Sequence, residues 1–166
     1  MKFYTVSDQY ITYLRTIDNN VPYNYSSGRA FIGVVLIVGE HKYLAPLTSY
    51  KPKQDNYDSS LPTLFKLHER TDPMNKLGMI QLNNMIPVLD SEIFLLDIES
   101  QNSRYKSMLN KQYEFIKIKE NTSEIQKRAE HIYNLVAIKE HCFFKRISCN
   151  FKLLENNYQY FDNKTS

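Results

Sequence analysis

The chain has no tryptophan, only four glycines and only two cysteines among 166 residues. No GxxxxGK[ST], GxGxxG or GxSxG run occurs, and so few glycines leave little means of building a phosphate-cradling loop. Nucleotide hydrolases and Rossmann enzymes are therefore disfavoured. Cys142 and Cys149 are too few for a disulfide scaffold and their spacing matches no zinc pattern, so reduced, half-buried thiols are expected. His41, His68, His131 and His141 fall in no HExxH or related arrangement. Each reads as structural, and no metal or other cofactor is expected. No apolar run approaches the ~18 residues of a membrane span. The start, Met1-Lys2-Phe3-Tyr4, lacks the apolar stretch of a signal peptide. A cytoplasmic protein with no membrane partner is the expectation.

Hydrophobic residues make up 42% and charged residues 23%, too apolar for a disordered chain. The length is close to the ~150-residue prior for one domain. One domain over residues 1–161, with 162–166 as a flexible tail, is expected. The net charge of +3 is unevenly spread. Met1 to Ser103 holds nine Lys or Arg against eleven Asp or Glu, whereas Arg104 to Lys152 holds eleven against five. Arg104, Lys106, Lys111, Lys117, Lys119, Lys127 and Arg128 fall in stretches with helical periodicity. They can track phosphates, or they can simply form a solvated helix face.

The first half reads as strands. Lys2 to Val6 alternates as a half-buried strand does, and Ser7 is a good N-cap for a short helix carrying Tyr10, Ile11, Tyr13 and Leu14. Asp18 to Gly28 is polar and predicts an exposed loop. Arg29 to Val38 and Tyr43 to Leu47 flank Gly39-Glu40 and predict a hairpin, with Pro46 restricting its second strand to an edge or a bulge. Leu61 to Leu67, Leu77 to Leu82 and Glu92 to Ile98 predict further strands, with turns at Asp72-Pro73 and Asn83-Asn84. After Ser100 the period changes. Tyr105, Met108, Leu109, Gln112 and Ile116 fit one helical stripe, and Ile125, Ala129, Ile132 and Val136 fit another. Asn121 and Glu124 resemble a capping box opening the second helix, and Phe151 to Phe161 reads as a short terminal one. Strands first and helices later predict an α+β fold, an antiparallel sheet with helices on one face or flank.

Potentially reactive side chains are densest in the loop Thr48-Ser49-Tyr50-Lys51-Pro52-Lys53, where hydroxyls and ammonium groups leave the end of a strand. Hydroxyls at such positions ordinarily make backbone turns, so the loop is weak evidence alone. Thirteen tyrosines are present. Those in or beside polar loops, Tyr23, Tyr25, Tyr50 and Tyr57, can stack on bases, while Tyr13, Tyr105 and Tyr113 are more simply core-edge residues.

A longer pattern is more specific than any of these pieces. Lys2-Phe3-Tyr4-Thr5-Val6-Ser7, Tyr10-Ile11, Tyr13-Leu14, Asp18, Val21-Pro22, Arg29-Ala30-Phe31-Ile32-Gly33-Val34-Val35-Leu36 and His41-Lys42-Tyr43-Leu44-Ala45-Pro46-Leu47-Thr48-Ser49 follow one another in order. Phe65-Lys66-Leu67-His68-Glu69, Leu77-Gly78, Met85-Ile86-Pro87, Cys149-Asn150-Phe151, Leu153-Leu154-Glu155, Tyr158 and Phe161 continue it. The succession spans nearly the whole chain and resembles the ToxN/AbiQ family, endoribonuclease toxins of type III toxin–antitoxin systems. The resemblance implies a compact, strongly twisted antiparallel sheet flanked by helices, small and barrel-like, similar to toxins of the MazF and Kid type. It implies a metal-independent RNase acting on cellular or phage RNA, in plasmid maintenance or abortive phage infection. It further implies inhibition by a small repetitive antitoxin RNA within a closed RNA–protein assembly. The family's active-site positions fall on Tyr10, Tyr25, Arg29, Thr48, Ser49 and Lys51; Tyr50 and Lys53 join the basic helical residues as RNA contacts.

These side chains suit the chemistry. Cleavage without metal needs the ribose 2′-hydroxyl to attack the adjacent phosphorus, with donors stabilising charge on the phosphorane oxygens. Thr48 and Ser49 can bond the scissile phosphate, Arg29 offers a planar fork and Lys51 a mobile point charge. Arg29 cannot act as a base, and a tyrosine with a pKa near ~10 is a poor one unless neighbouring cations lower it. A non-catalytic RNA-binding module is the alternative reading, and a purely structural interaction protein a third.

Overall fold

The Ser7 hydroxyl oxygen accepts from the Tyr10 amide at 3.3 Å, so the helix that follows strand β1 (Phe3–Val6) begins where its cap is. That helix, α1 (Asp8–Ile17), buries Tyr10, Ile11 and Leu14 on one face. The structure is a computed structural model and describes residues 1–23 and 31–162. The segment from Asp18 differs from the exposed loop expected. Asp18 and Val21 are buried, because the Asp18 carboxylate accepts from the amides of Asn20 at 2.9 Å and Asn150 at 2.6 Å, pinning the chain beneath the C-terminal elements. The rest of that loop, 24–28, lies outside the described residues, as does the 163–166 part of the tail.

β2 (Phe31–Val38) and β3 (His41–Thr48) form the expected hairpin around Gly39, whose φ of +61° suits a tight turn. β4 (Leu64–Glu69) and β5 (Asp72–Gln81) form a second hairpin. Its turn is Arg70-Thr71, so Asp72-Pro73 opens β5 instead of making the turn. β6 (Ile86–Pro87) and β7 (Ile93–Leu95) complete an antiparallel sheet of order β4-β5-β3-β2-β1-β7, with β6 also on β3. β4 and β7 are not joined, so among the described residues the sheet is open and the barrel-like closure does not form. β3 is central, not an edge strand. One side runs along β2, while the other pairs Tyr43 and Leu44 with β6, then Leu47 and Thr48 with β5. Pro46 falls in the gap between those two partners, where a missing N–H costs no ladder bond on that side.

α2 (Ser103–Ile116) packs mainly on β4, and the Gln112 amide ties it to β5 by donating to the Leu77 carbonyl at 2.7 Å. α3 (Lys119–Tyr133) lies against β2 and runs into a π-helical turn, Asn134–Ile138. Asn121 does not open this helix. Its amide donates to the Phe115 carbonyl at 2.8 Å and the Thr122 hydroxyl to the Ile116 carbonyl at 2.7 Å, which closes the end of α2 instead. α4 (Cys142–Ile147), α5 (Phe151–Glu155) and a 3₁₀ turn, Tyr158–Tyr160, finish the chain. One contiguous apolar core, from Phe3 to Tyr158, joins helices to sheet. Cys149 is buried within it and Cys142 is exposed. Among the described residues no helix is long and apolar enough to cross a membrane.

Candidate active site

β3 delivers Thr48 to the sheet's end, where Thr48 pairs with Met79 of β5. One residue earlier in β5, Gly78 adopts φ +121°, and a Cβ there would stand 1.8 Å from the Thr48 carbonyl oxygen. Only glycine lets the two backbones approach this closely. The chain then leaves the sheet through Ser49 and Tyr50 and enters a 3₁₀ turn, Pro52–Asn56, whose Gln54 folds back beneath it. Gln54 is buried, and its Nε2 donates to the Ser49 carbonyl at 2.9 Å and, at a longer 3.4 Å, to Thr48 Oγ1.

Ser49 and Tyr50 form one wall of a groove of ≈ 550 Å³. Asn75 and Lys76 of β5 and Arg104 and Lys111 of α2 also line it. A second hollow of ≈ 330 Å³ lies across Tyr50 and Lys76, with Gln54, Asp55 and Lys66 in its walls. The ridge between the two is a polar cluster: the Tyr50 hydroxyl donates to Asp55 at 2.8 Å, Lys76 pairs with Asp55 at 2.8 Å, and the Lys76 ammonium sits 5.5 Å from the centre of the Tyr50 ring. The hydrogen bond to the Asp55 carboxylate raises the Tyr50 pKa, and that carboxylate raises Lys76 in turn. Lys76 holds Asp55 below its ordinary range. Tyr50 and Lys76 therefore stay protonated at neutral pH, the Tyr50 hydroxyl engaged by Asp55 and the Lys76 ammonium paired with Asp55 in the groove wall.

The family profile for toxin ToxN of type III toxin–antitoxin systems matches residues 2–159. The endoribonuclease ToxN of Pectobacterium atrosepticum is 43% identical over 166 residues, covering 97% of this chain and 94% of that protein. The chain belongs to the ToxN family. Its fold superposes on that of AbiQ, a lactococcal anti-phage endoribonuclease of a type III system, with a TM-score of 0.83 at 32% identity, covering 96% of each chain. A toxin structure solved in work on selective inhibition by a non-coding RNA pseudoknot gives a TM-score of 0.82 at 32% identity over 98% of each chain.

Within this ToxN-family chain the residues singled out in the sequence separate. Tyr25 and Arg29 lie outside the described residues. Ser49 is in the groove wall, whereas the Thr48 hydroxyl is turned to the Met79 carbonyl at 3.3 Å. Lys51, just before the 3₁₀ turn, and Lys53, on it, are exposed and outside the groove lining. Tyr10 is not brought to the groove at all. It is fully buried, its hydroxyl donates to the Pro87 carbonyl at 2.8 Å, and burial raises its pKa above the ordinary tyrosine range. Pro87 pairs with Tyr43, five residues before Thr48 on β3, or about 17 Å along the strand. In this structure Tyr10 ties α1 to the sheet and does not line the groove.

The basic residues divide in the same way. Arg104 and Lys111 line the groove, Lys111 also pairing with Glu69 at 3.1 Å. Lys106 pairs with Glu99, and Lys117 with Glu114 at 2.6 Å. Lys119 and Lys127 are exposed on α3, away from the groove lining. Arg128 departs from its expected role. It pairs with Glu124 at 2.7 Å and donates to the carbonyls of Ser59, Leu61 and Leu64 at 2.7, 3.3 and 3.0 Å, so its guanidinium is committed to the loop before β4. Sequence reasoning missed Gln54, Asn75 and Lys76. A glycine at position 78, two residues after a lysine, was the available signal, but the β4–β5 register that brings Lys76 to the groove shared with Ser49 is not visible in a linear reading.

Proposed function

We propose that this protein is the endoribonuclease toxin of a type III toxin–antitoxin system and that the Ser49 groove is where it cuts. The observation that carries this reading is the convergence on one groove of the Ser49 hydroxyl and the Lys76, Arg104 and Lys111 cations, in a chain of the ToxN family. A single-stranded RNA lies along the groove with phosphates against α2. The 2′-oxygen attacks phosphorus, a bond forms between them, and the bond from phosphorus to the 5′-oxygen breaks. One proton leaves the 2′-hydroxyl and one reaches the departing 5′-oxygen. The products are a 2′,3′-cyclic phosphate and a 5′-hydroxyl.

The Ser49 hydroxyl and the N–H groups that Lys76 does not give to Asp55 hold the phosphate and stabilise its developing charge, while Tyr50 forms part of the groove wall. Thr48 supports the loop from beneath, Lys51 and Lys53 add charge at the rim, and the reading also assigns catalytic roles to Arg29 and Tyr25. The reaction proceeds without metal, and residues 1–161 act as one domain of the same compact kind as the MazF and Kid toxins. A structured, repeat-derived antitoxin RNA occupies the basic surface in a closed RNA–protein complex in the cytoplasm. Release of the toxin leads to cleavage of cellular or phage RNA, in plasmid maintenance or abortive infection.

Incubating the purified protein with long single-stranded RNA in EDTA and mapping the termini tests this. New ends bearing cyclic phosphates are the expected result. Salt-sensitive retention of RNA with no new ends would instead mark a non-catalytic RNA-binding module.

A further inference from the structure

The two hydroxyl residues at the end of β3 are held by a buried side chain. Gln54 lies below the loop with 4% of its surface exposed, and its Nε2 amide spans the Ser49 carbonyl at 2.9 Å and Thr48 Oγ1 at 3.4 Å. From the other side, Gly78 brings β5 against the Thr48 carbonyl, and the Thr48 hydroxyl donates to Met79 at 3.3 Å. The Ser49 peptide is thus gripped at its carbonyl from below and through Thr48 from the sheet. A polar group buried this deeply costs stability unless bonded, and Gln54 satisfies that cost with contacts to the two residues on which cleavage is proposed to depend.

We infer that Gln54 is a positioning residue, which fixes the Ser49 hydroxyl in the groove by donating to the Ser49 carbonyl. The inference rests on the endoribonuclease reading of the groove. It requires a donor at position 54, a requirement that a space-filling role would not impose. Gln54→Met keeps the approximate volume and loses the donor. Gln54→Glu keeps the shape and presents a carboxylate, which cannot donate to a carbonyl, whereas the protonated carboxyl can. The titratable groups sharing the Gln54 hollow are Tyr50 and Asp55 from its own loop, Lys66 and His68 from β4, and Lys76 from β5. Burial favours the protonated form of the new carboxyl and Lys66 and Lys76 favour the carboxylate, so the readout is the direction of the rate with pH, whatever the midpoint.

The test is the cleavage rate of wild type, Gln54→Met and Gln54→Glu on one RNA across acidic to neutral pH, with circular dichroism melts alongside. Gln54→Met is expected to lose about 10²-fold in kcat with KM little changed, the cost of a misplaced reacting group. The rate of Gln54→Glu relative to wild type is expected to rise as pH falls through the carboxyl's titration. A relative rate flat with pH, or a folded Gln54→Met protein at wild-type kcat, would overturn the inference while wild-type cutting still stands. A wild type that leaves the RNA intact would overturn the endoribonuclease reading and this inference with it.

Discussion

At the scale of single residues, the site depends on one missing side chain as much as on those present. Gly78 combines φ +121° with a carbonyl 1.8 Å from where a Cβ would stand. Gly78→Ala is expected to lower stability by about 2 kcal/mol or more, because strain and a backbone clash act together. A thermal melt measures it, and cleavage should fall with it since Thr48 and Ser49 must shift. Two arginines make the opposite comparison. Arg104→Ala should leave the melting temperature nearly unchanged and reduce the slope of log binding constant against log salt by about one. Arg128→Ala should lower stability by about 1.5–3 kcal/mol, from the lost charged hydrogen bonds to the loop carbonyls, and leave that slope alone. Equal salt slopes for the two variants would show that the division of the basic residues is wrong. The difference between these arginines was not legible in the sequence, where both read as cations on helices. What separates them is the chain returning beside Arg128 from 64 to 69 residues away.

At the scale of elements, the sequence was most legible where local chemistry decides. The Ser7 cap, the hairpin at Gly39 and the apolar stripes of α2 and α3 appear where periodicity and turn residues place them. The misses occur where a neighbour far along the chain overrides the local signal. Asn121 caps the preceding helix instead of its own, and Pro46 sits in a central strand because β3 changes partners there. β6 spans two residues and α4 six, too short for a period to show. The Thr48–Ser49–Tyr50 loop was legible as a hydroxyl-rich strand end, but its Gln54 support and Lys76 neighbour were not. α5 is anchored by a buried network: Glu155 accepts from the hydroxyls of Tyr43 at 2.8 Å and Tyr133 at 3.2 Å. Tyr43→Phe removes one donor to a buried carboxylate and should cost about 1–3 kcal/mol. Chemical denaturation should show this as a shifted midpoint, while RNA cleavage at a temperature where the variant is folded stays at the wild-type rate, since Tyr43 is buried against Tyr133 and Phe151 and does not line the groove.

At the scale of the whole molecule, charge and topology act together. The acidic-to-neutral first part of the chain supplies the sheet and the hydroxyl loop, and the basic later part supplies α2, whose Arg104 and Lys111 close the groove opposite Ser49. Among the described residues the sheet is open, so the groove is built where a helix meets a strand end, not inside a barrel. In the proposed function this groove, through Ser49, performs the cleavage. The most direct test sets wild type beside Ser49→Ala on long single-stranded RNA in EDTA, measuring both retained RNA and newly formed ends. Both proteins are expected to fold and bind RNA, and only wild type to produce ends bearing 2′,3′-cyclic phosphates. Wild-type cleavage by the purified Ser49→Ala protein would contradict that reading.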